Sequence, residues 1–273
     1  MDLEKFYIFG GCSFTDMPGS WARYICDEFL HNKNCQLVAK SGAGNSFIAT
    51  AVMNGALMAE KAGIGYMPDI SVMWSHPTRI EYPIDSVQTP YYDNLFDNNK
   101  KAKNDFNPGL YALQHLTGEH QRDPRNYWFL SGGNVTEKTV WSNKDSVNKE
   151  YQNMWRLHYK YFANINYHWH NTLMCILNVQ NLCEAKGWDY RFTVFREYVT
   201  EWKNVCAPQF IHLQEAIKWD KFIFTDEKTG GLREYTLNNL NTWDDGYDNH
   251  PSHEAHKDFV DNFWLKRFPN VYG

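Results

Sequence analysis

Phe6-Tyr7-Ile8-Phe9-Gly10-Gly11-Cys12-Ser13-Phe14-Thr15 is the stretch that decides the fold. The apolar run reads as a buried strand, and the glycines after it permit a sharp turn. Such a turn lifts the Ser13 hydroxyl off the carboxyl edge of a sheet, beside the free N–H groups of the helix that follows. That is a place for a nucleophile. Near the other end stands Asp248-Asn249-His250-Pro251-Ser252, so an imidazole and a carboxylate able to activate a serine lie together on one late segment.

Working outward, the pattern predicts a helix from Trp21 to Leu30, a strand Gln36–Ala39, a small-residue helix from about Phe47 to Ala62, and a strand Ile70–Trp74. Strand and helix in alternation imply a parallel sheet, whose ligands sit beyond the carboxyl ends of the strands. Ser13, Gly44 and Ser75 all fall at such ends. From about residue 80 to 149 the pattern dissolves into Pro, Asn, Asp, Gly and scattered aromatics, read as an irregular insertion after the third strand. A long helical tract from about Asn148 to Ala185 stops at Lys186-Gly187. Tyr190–Phe195 is then a fourth strand, Lys221–Phe224 a candidate fifth, and Pro251–Phe268 a closing helix. The expected architecture is one α/β domain over residues 1–273, three-layer α/β/α, around a mostly parallel sheet of about five strands.

The chain has 273 residues and a net charge of −5, with no basic footprint, so nucleic acid is not an expected partner. Six cysteines form no CxxC pair and no dense framework, which suits reduced thiols. The N-terminal residues have no apolar signal core, and no apolar run is long enough to cross a bilayer. These features lead us to expect a soluble cytoplasmic protein without a membrane partner. Aromatics reach 16%, yet mean hydropathy is only −0.62, so many rings must lie in polar neighbourhoods. Tyr91, Tyr92, Tyr111, Tyr127, Trp128 and Trp141 in the insertion are too many for a solvated loop, and part of it is expected to wall the cleft above Ser13.

In their order, these blocks resemble the SGNH (GDSL-like) hydrolase family, whose fold is flavodoxin-like. Phe9-Gly10-Gly11-Cys12-Ser13-Phe14-Thr15 looks like its first block, with Ser13 as nucleophile. Gly44 matches the second-block glycine, whose N–H helps bind an oxyanion, and His250 resembles the last-block base. Where the family has Gly-x-Asn-Asp, this chain has Trp74-Ser75-His76-Pro77, with Arg79 and Glu81 close behind; Ser75 is the first choice of side-chain donor and Asn45 the next. The family's Asp-x-x-His is also altered, because Tyr247 stands three before His250. Asp248 is the expected partner of the imidazole and Asp245 the alternative.

The resemblance implies acyl transfer from an ester by a Ser-His-Asp triad, without metal or cofactor. Polar, aromatic-rich surroundings point to O-acyl, above all O-acetyl, groups on a carbohydrate or other polar substrate. The first block and Trp-Ser strand end also look similar to hydrolases predicted in phage genomes, which would make a virion or a host-surface polysaccharide the partner. The rival is a non-catalytic glycan- or protein-binding protein on a hydrolase-like fold, a virion component for example. An acyltransferase using the same serine is a third possibility. Cys12 is the rival nucleophile, but consecutive residues point apart. His168 and His170 would diverge on a helix, so no metal is read there. His256 is expected to support packing along the last helix.

Overall fold

The computed structural model describes residues 4–31, 33–40, 42–61, 66–79, 157–158, 160–161, 166–196, 208–226, 230–240 and 250–272, with the backbone alone of 81–83, 128–130 and 165. Four parallel strands form the main sheet: β1 (Glu4–Gly11), β2 (Cys35–Ala39), β3 (Tyr66–Trp74) and β6 (Asp189–Val194), in the order β2-β1-β3-β6. Two short strands, β4 (Glu81–Pro83) and β5 (Trp128–Leu130), pair antiparallel where the sequence suggests only irregular chain.

The chain leaves β1 for β2 on one side and then returns to β3 on the other. A crevice opens at such a reversal, over the carboxyl end of the central strand. Gly11 ends β1, Ala39 pairs with it at the end of β2, and Gly10 pairs with Val72 near the end of β3. Ser13 and Ser75 therefore lie just beyond neighbouring strand ends.

Helix α1 (Ser13–Asp16) is a single turn, and α2 (Trp21–Tyr24) runs into a π-helical turn over Ile25–Phe29, so the expected helix from Trp21 to Leu30 is present but underwound. Helix α3 (Asn45–Lys61) presents alanines and Gly55 to the sheet. Its approach is so close that a Cβ on Gly10 would sit 2.2 Å from Val52 Cγ2. On the neighbouring position, Phe9 meets Trp21 edge-on at 5.6 Å, and Trp21 packs on Trp264 at 4.9 Å. Alternate residues of β1 thus serve different helices, as the two-residue period of a strand requires.

Helix α4 spans Ile165–Lys186, so its expected start near Asn148 falls outside the described residues. After β6 come α5 (Ile211–Glu215), α6 (Leu232–Leu240) and α7 (His253–Phe259), the last continuing as a π turn over Val260–Trp264. At Lys221–Phe224, where a fifth strand is expected, the segment leaves a 3-10 turn at Trp219–Lys221 and makes one parallel bridge, Phe222 with Phe192. Ile223 still donates its N–H to Phe192 O, while its carbonyl accepts from the Thr193 hydroxyl rather than from a backbone N–H, which ends the ladder. Among the described residues no helix is long and apolar enough to cross a membrane.

Candidate active site

Ser13 owes its position to Gly11. A Cβ there would lie 2.0 Å from Thr15 Oγ1, so only glycine lets α1 fold back against the end of β1. Cys12 caps the turn, its carbonyl accepting the N–H groups of Thr15 and Asp16. The Ser20 hydroxyl donates to Thr15 O at 2.6 Å, and Trp21 Nε1 donates to Thr15 Oγ1 at 3.2 Å. The serine turn is therefore tied to α2 on both the backbone and the side chain of Thr15.

His250 arrives from the far end of the chain. Its Nε2 lies 2.7 Å from Ser13 Oγ, a contact spanning 237 residues. With the proton on the serine, the hydroxyl donates to the imidazole, the arrangement a general base needs. Phe14 stacks on Phe195 with centroids 4.6 Å apart and lies against the His250 ring at 4.6 Å, so aromatic packing sets the plane of the imidazole. Two residues on, Ser252 caps α7 by accepting the Ala255 N–H. One turn further along, buried His256 accepts the Trp21 N–H on Nδ1 at 3.2 Å. Burial, with His253 and His250 adding to it, holds the His256 imidazole down to about 3, so it is neutral and carries its proton on Nε2.

Of the sequence-predicted residues, the structure brings Ser13 and His250 into hydrogen-bond contact. Cys12 is fully buried and makes no such contact with the imidazole among the described residues. Asp248 and its alternative Asp245 lie outside the described residues, as does the expected aromatic wall of the insertion.

Gly44 is buried immediately before α3, and Ser75 immediately after β3. Neither the Ser13 nor the Gly44 N–H meets an acceptor among the described residues, as first-turn N–H groups commonly do not. Asn45 is committed elsewhere: Oδ1 accepts Ser75 N–H at 2.9 Å, while Nδ2 donates to Ser75 O at 3.2 Å and to Thr172 Oγ1 at 3.0 Å. Both amide protons are used, so in this arrangement Asn45 clamps Ser75 rather than presenting a donor of its own. Ser75 Oγ accepts from Arg79 Nη1 at 3.0 Å, which leaves the hydroxyl proton of Ser75 available.

His76 follows in the same turn and accepts Thr78 N–H on Nδ1. Burial, then the nearby Arg79 and Arg196, push it down to about 3. His168 is lowered to about 4, chiefly by burial, and stays neutral. Among the described residues no three His, Cys, Asp or Glu side chains are grouped so as to hold a metal ion. Phe14, Phe195 and Thr172 were not singled out from the sequence. Phe14 carried the strongest available signal, as a large ring next to the candidate nucleophile. Compared with known proteins, the chain matches no family model, no curated protein and no solved structure.

Proposed function

We propose that the protein is a serine esterase of SGNH type, cleaving O-acyl, above all O-acetyl, esters on a carbohydrate or other polar substrate. The observation that carries this reading is the 2.7 Å approach of His250 Nε2 to Ser13 Oγ at the carboxyl edge of a parallel sheet. Ser13 Oγ attacks the acyl carbon as its proton passes to His250 Nε2. The carbonyl oxygen becomes an oxyanion, held by the N–H groups of Ser13 and Gly44 and by the Ser75 hydroxyl. His250 returns the proton to the departing sugar alcohol, and water then repeats the sequence to release the acid and free Ser13. Asp248, two residues before the base, is assigned the orientation of the imidazole through its other ring nitrogen.

The same reading takes the fold as three-layer α/β/α, with the Phe222 bridge marking the position of a fifth strand. Support comes from β1, where Gly10 serves α3 and Phe9 serves α2. A cytoplasmic or virion-associated setting, with an acylated host-surface glycan as substrate, fits this chemistry.

Treatment with a fluorophosphonate, followed by mass spectrometry, tests the proposal. Ser13 is expected to be labelled, and labelling to disappear in Ser13→Ala and fall steeply in His250→Ala. A folded protein that resists the label and turns over no acetyl ester would instead favour a glycan- or protein-binding role.

A further inference from the structure

A buried guanidinium ordinarily comes with a carboxylate, because a charge taken out of water must be compensated. Near the amino edge of the sheet Arg191 obeys this rule, with Nη1 2.6 Å from Asp69 Oδ1 and 2.9 Å from Ser71 Oγ. At the carboxyl edge Arg79 does not. Only 9% exposed, it donates from Nη1 to Ser75 Oγ at 3.0 Å and to Ala43 O at 3.3 Å, and its Nε is buried without a partner. Among the described residues no carboxylate forms an ion pair with it, and both of its hydrogen bonds leave from Nη1.

Tethering Ser75 to Ala43 needs two N–H donors, which a neutral amide supplies with no charge to desolvate. The guanidinium carries five, and the Nε–Nη2 edge is the side that binds a carboxylate with two parallel hydrogen bonds. Its position is as informative as its charge. Ala43 directly precedes Gly44, and Ser75 is itself a candidate oxyanion donor, so an anion on Arg79 would lie beside the reacting carbonyl.

We propose that the Nε–Nη2 edge of Arg79 binds a carboxylate of the substrate, so that the favoured esters are O-acylated acidic sugars of the uronic-acid type. The binding site stands on the geometry of Arg79; that the bound sugar is deacylated rests on the Ser13 esterase reading. A carboxylate on Arg79 and an acyl carbonyl on the Gly44 and Ser75 donors would belong to one sugar ring or to adjoining rings.

The test compares the acetylated methyl glycoside of glucuronic acid, its carboxylate free, with acetylated methyl glucoside. Wild-type protein is expected to favour the acidic ester at least tenfold in kcat/KM, and Arg79→Gln to reduce that ratio to within about threefold of unity. The ratio is read rather than the absolute rate, because Arg79 also holds Ser75. Measurable but equal rates on the two esters in the wild type, or a preference that survives in Arg79→Gln, would overturn the proposal. Should Arg79→Gln fail to fold, as judged by circular dichroism, competition against the wild type decides: glucuronate is expected to inhibit and glucuronamide not, and equal inhibition or none refutes the carboxylate site. Failure of the esterase reading is distinguished by calorimetry on Ser13→Ala. Binding of the methyl glycoside of glucuronic acid there, without turnover or labelling in the wild type, upholds the Arg79 site while removing the chemistry; absence of binding overturns the site itself.

Discussion

The backbone N–H of Trp21 donates to Nδ1 of His256 across 3.2 Å, joining the helix that follows the serine turn to the helix that follows the base. Ser13 and His250 each stand a few residues before one of these helices. The bond therefore helps to fix the Ser13 and His250 side chains relative to each other without touching either. His256→Leu keeps much of the volume but leaves a buried N–H unpaired, which typically costs about 1 to 3 kcal/mol. A lowered melting temperature is expected, together with a fall in kcat on an acetyl ester that exceeds any change in KM. Wild-type kcat in a folded His256→Leu protein would show that the helix junction does not position the base.

His256 and His76 also give stability a pH dependence of definite sign. Both are held at about 3, against an ordinary value of 6.5. Between these values the unfolded chain binds protons that the folded chain refuses, so their contribution is complete above about pH 6.5 and is lost as pH falls toward 3. For a single such histidine the slope approaches about 1.4 kcal/mol per pH unit within that window. Urea midpoints measured from pH 7.5 to 4.5 are expected to fall, and to fall less steeply in His256→Leu. Parallel curves for wild type and variant would mean that His256 is not refused its proton.

Gly10 offers a test of the fold itself. The added Cβ of Gly10→Ala would meet Val52 Cγ2 at 2.2 Å, and α3 cannot retreat without loosening its contacts along the sheet. Overpacking of this kind costs about 1 to 3 kcal/mol. Val52→Ala removes the opposing methyls, so the double variant is expected to be more stable than the sum of the two single losses. Simple additivity would place α3 farther from β1 than described here.

Much of this arrangement is legible in the sequence because it is local. The apolar runs at Phe6, Gln36, Ile70 and Tyr190 become strands, and the small-residue tract after Gly44 becomes α3. The pairing of Ser13 with His250 follows from block order, since strand ends and the last helix share one edge of the sheet. Lys221–Phe224 has the composition of a strand but forms only a bridge, because the Thr193 hydroxyl takes the place of a backbone donor. The π turn at Ile25–Phe29 leaves no mark in the apolar spacing. Asn45 shows the limit most clearly. As a polar residue beside Gly44 it reads as a spare oxyanion donor, whereas its real partners stand 30 and 127 residues away.

Removal of the serine or the base should act on chemistry rather than folding. Loss of a positioned general base typically costs about 10²- to 10⁴-fold in rate. His250→Ala is expected to lose activity in that range on p-nitrophenyl acetate, and Ser13→Ala to fall to the background rate. Both variants should melt within a few degrees of the wild type. Substantial serine-independent turnover would point to another nucleophile.

Ser75 and Asn45 separate a donor from its holder. If the Ser75 hydroxyl faces the oxyanion, Ser75→Ala should lower kcat by about 10²- to 10³-fold, as loss of one such donor does elsewhere, with little change in melting temperature. Asn45→Ala should lower both, since it leaves the buried N–H and carbonyl of Ser75 and the hydroxyl of Thr172 without their amide partner. The two losses in kcat should then fail to add: with Asn45 already gone, the misplaced Ser75 hydroxyl has little left to contribute. A double-mutant cycle on kcat measures this directly. Full additivity would mean that Asn45 supplies its own hydrogen bond to the reaction, and that its amide leaves Ser75 when substrate binds.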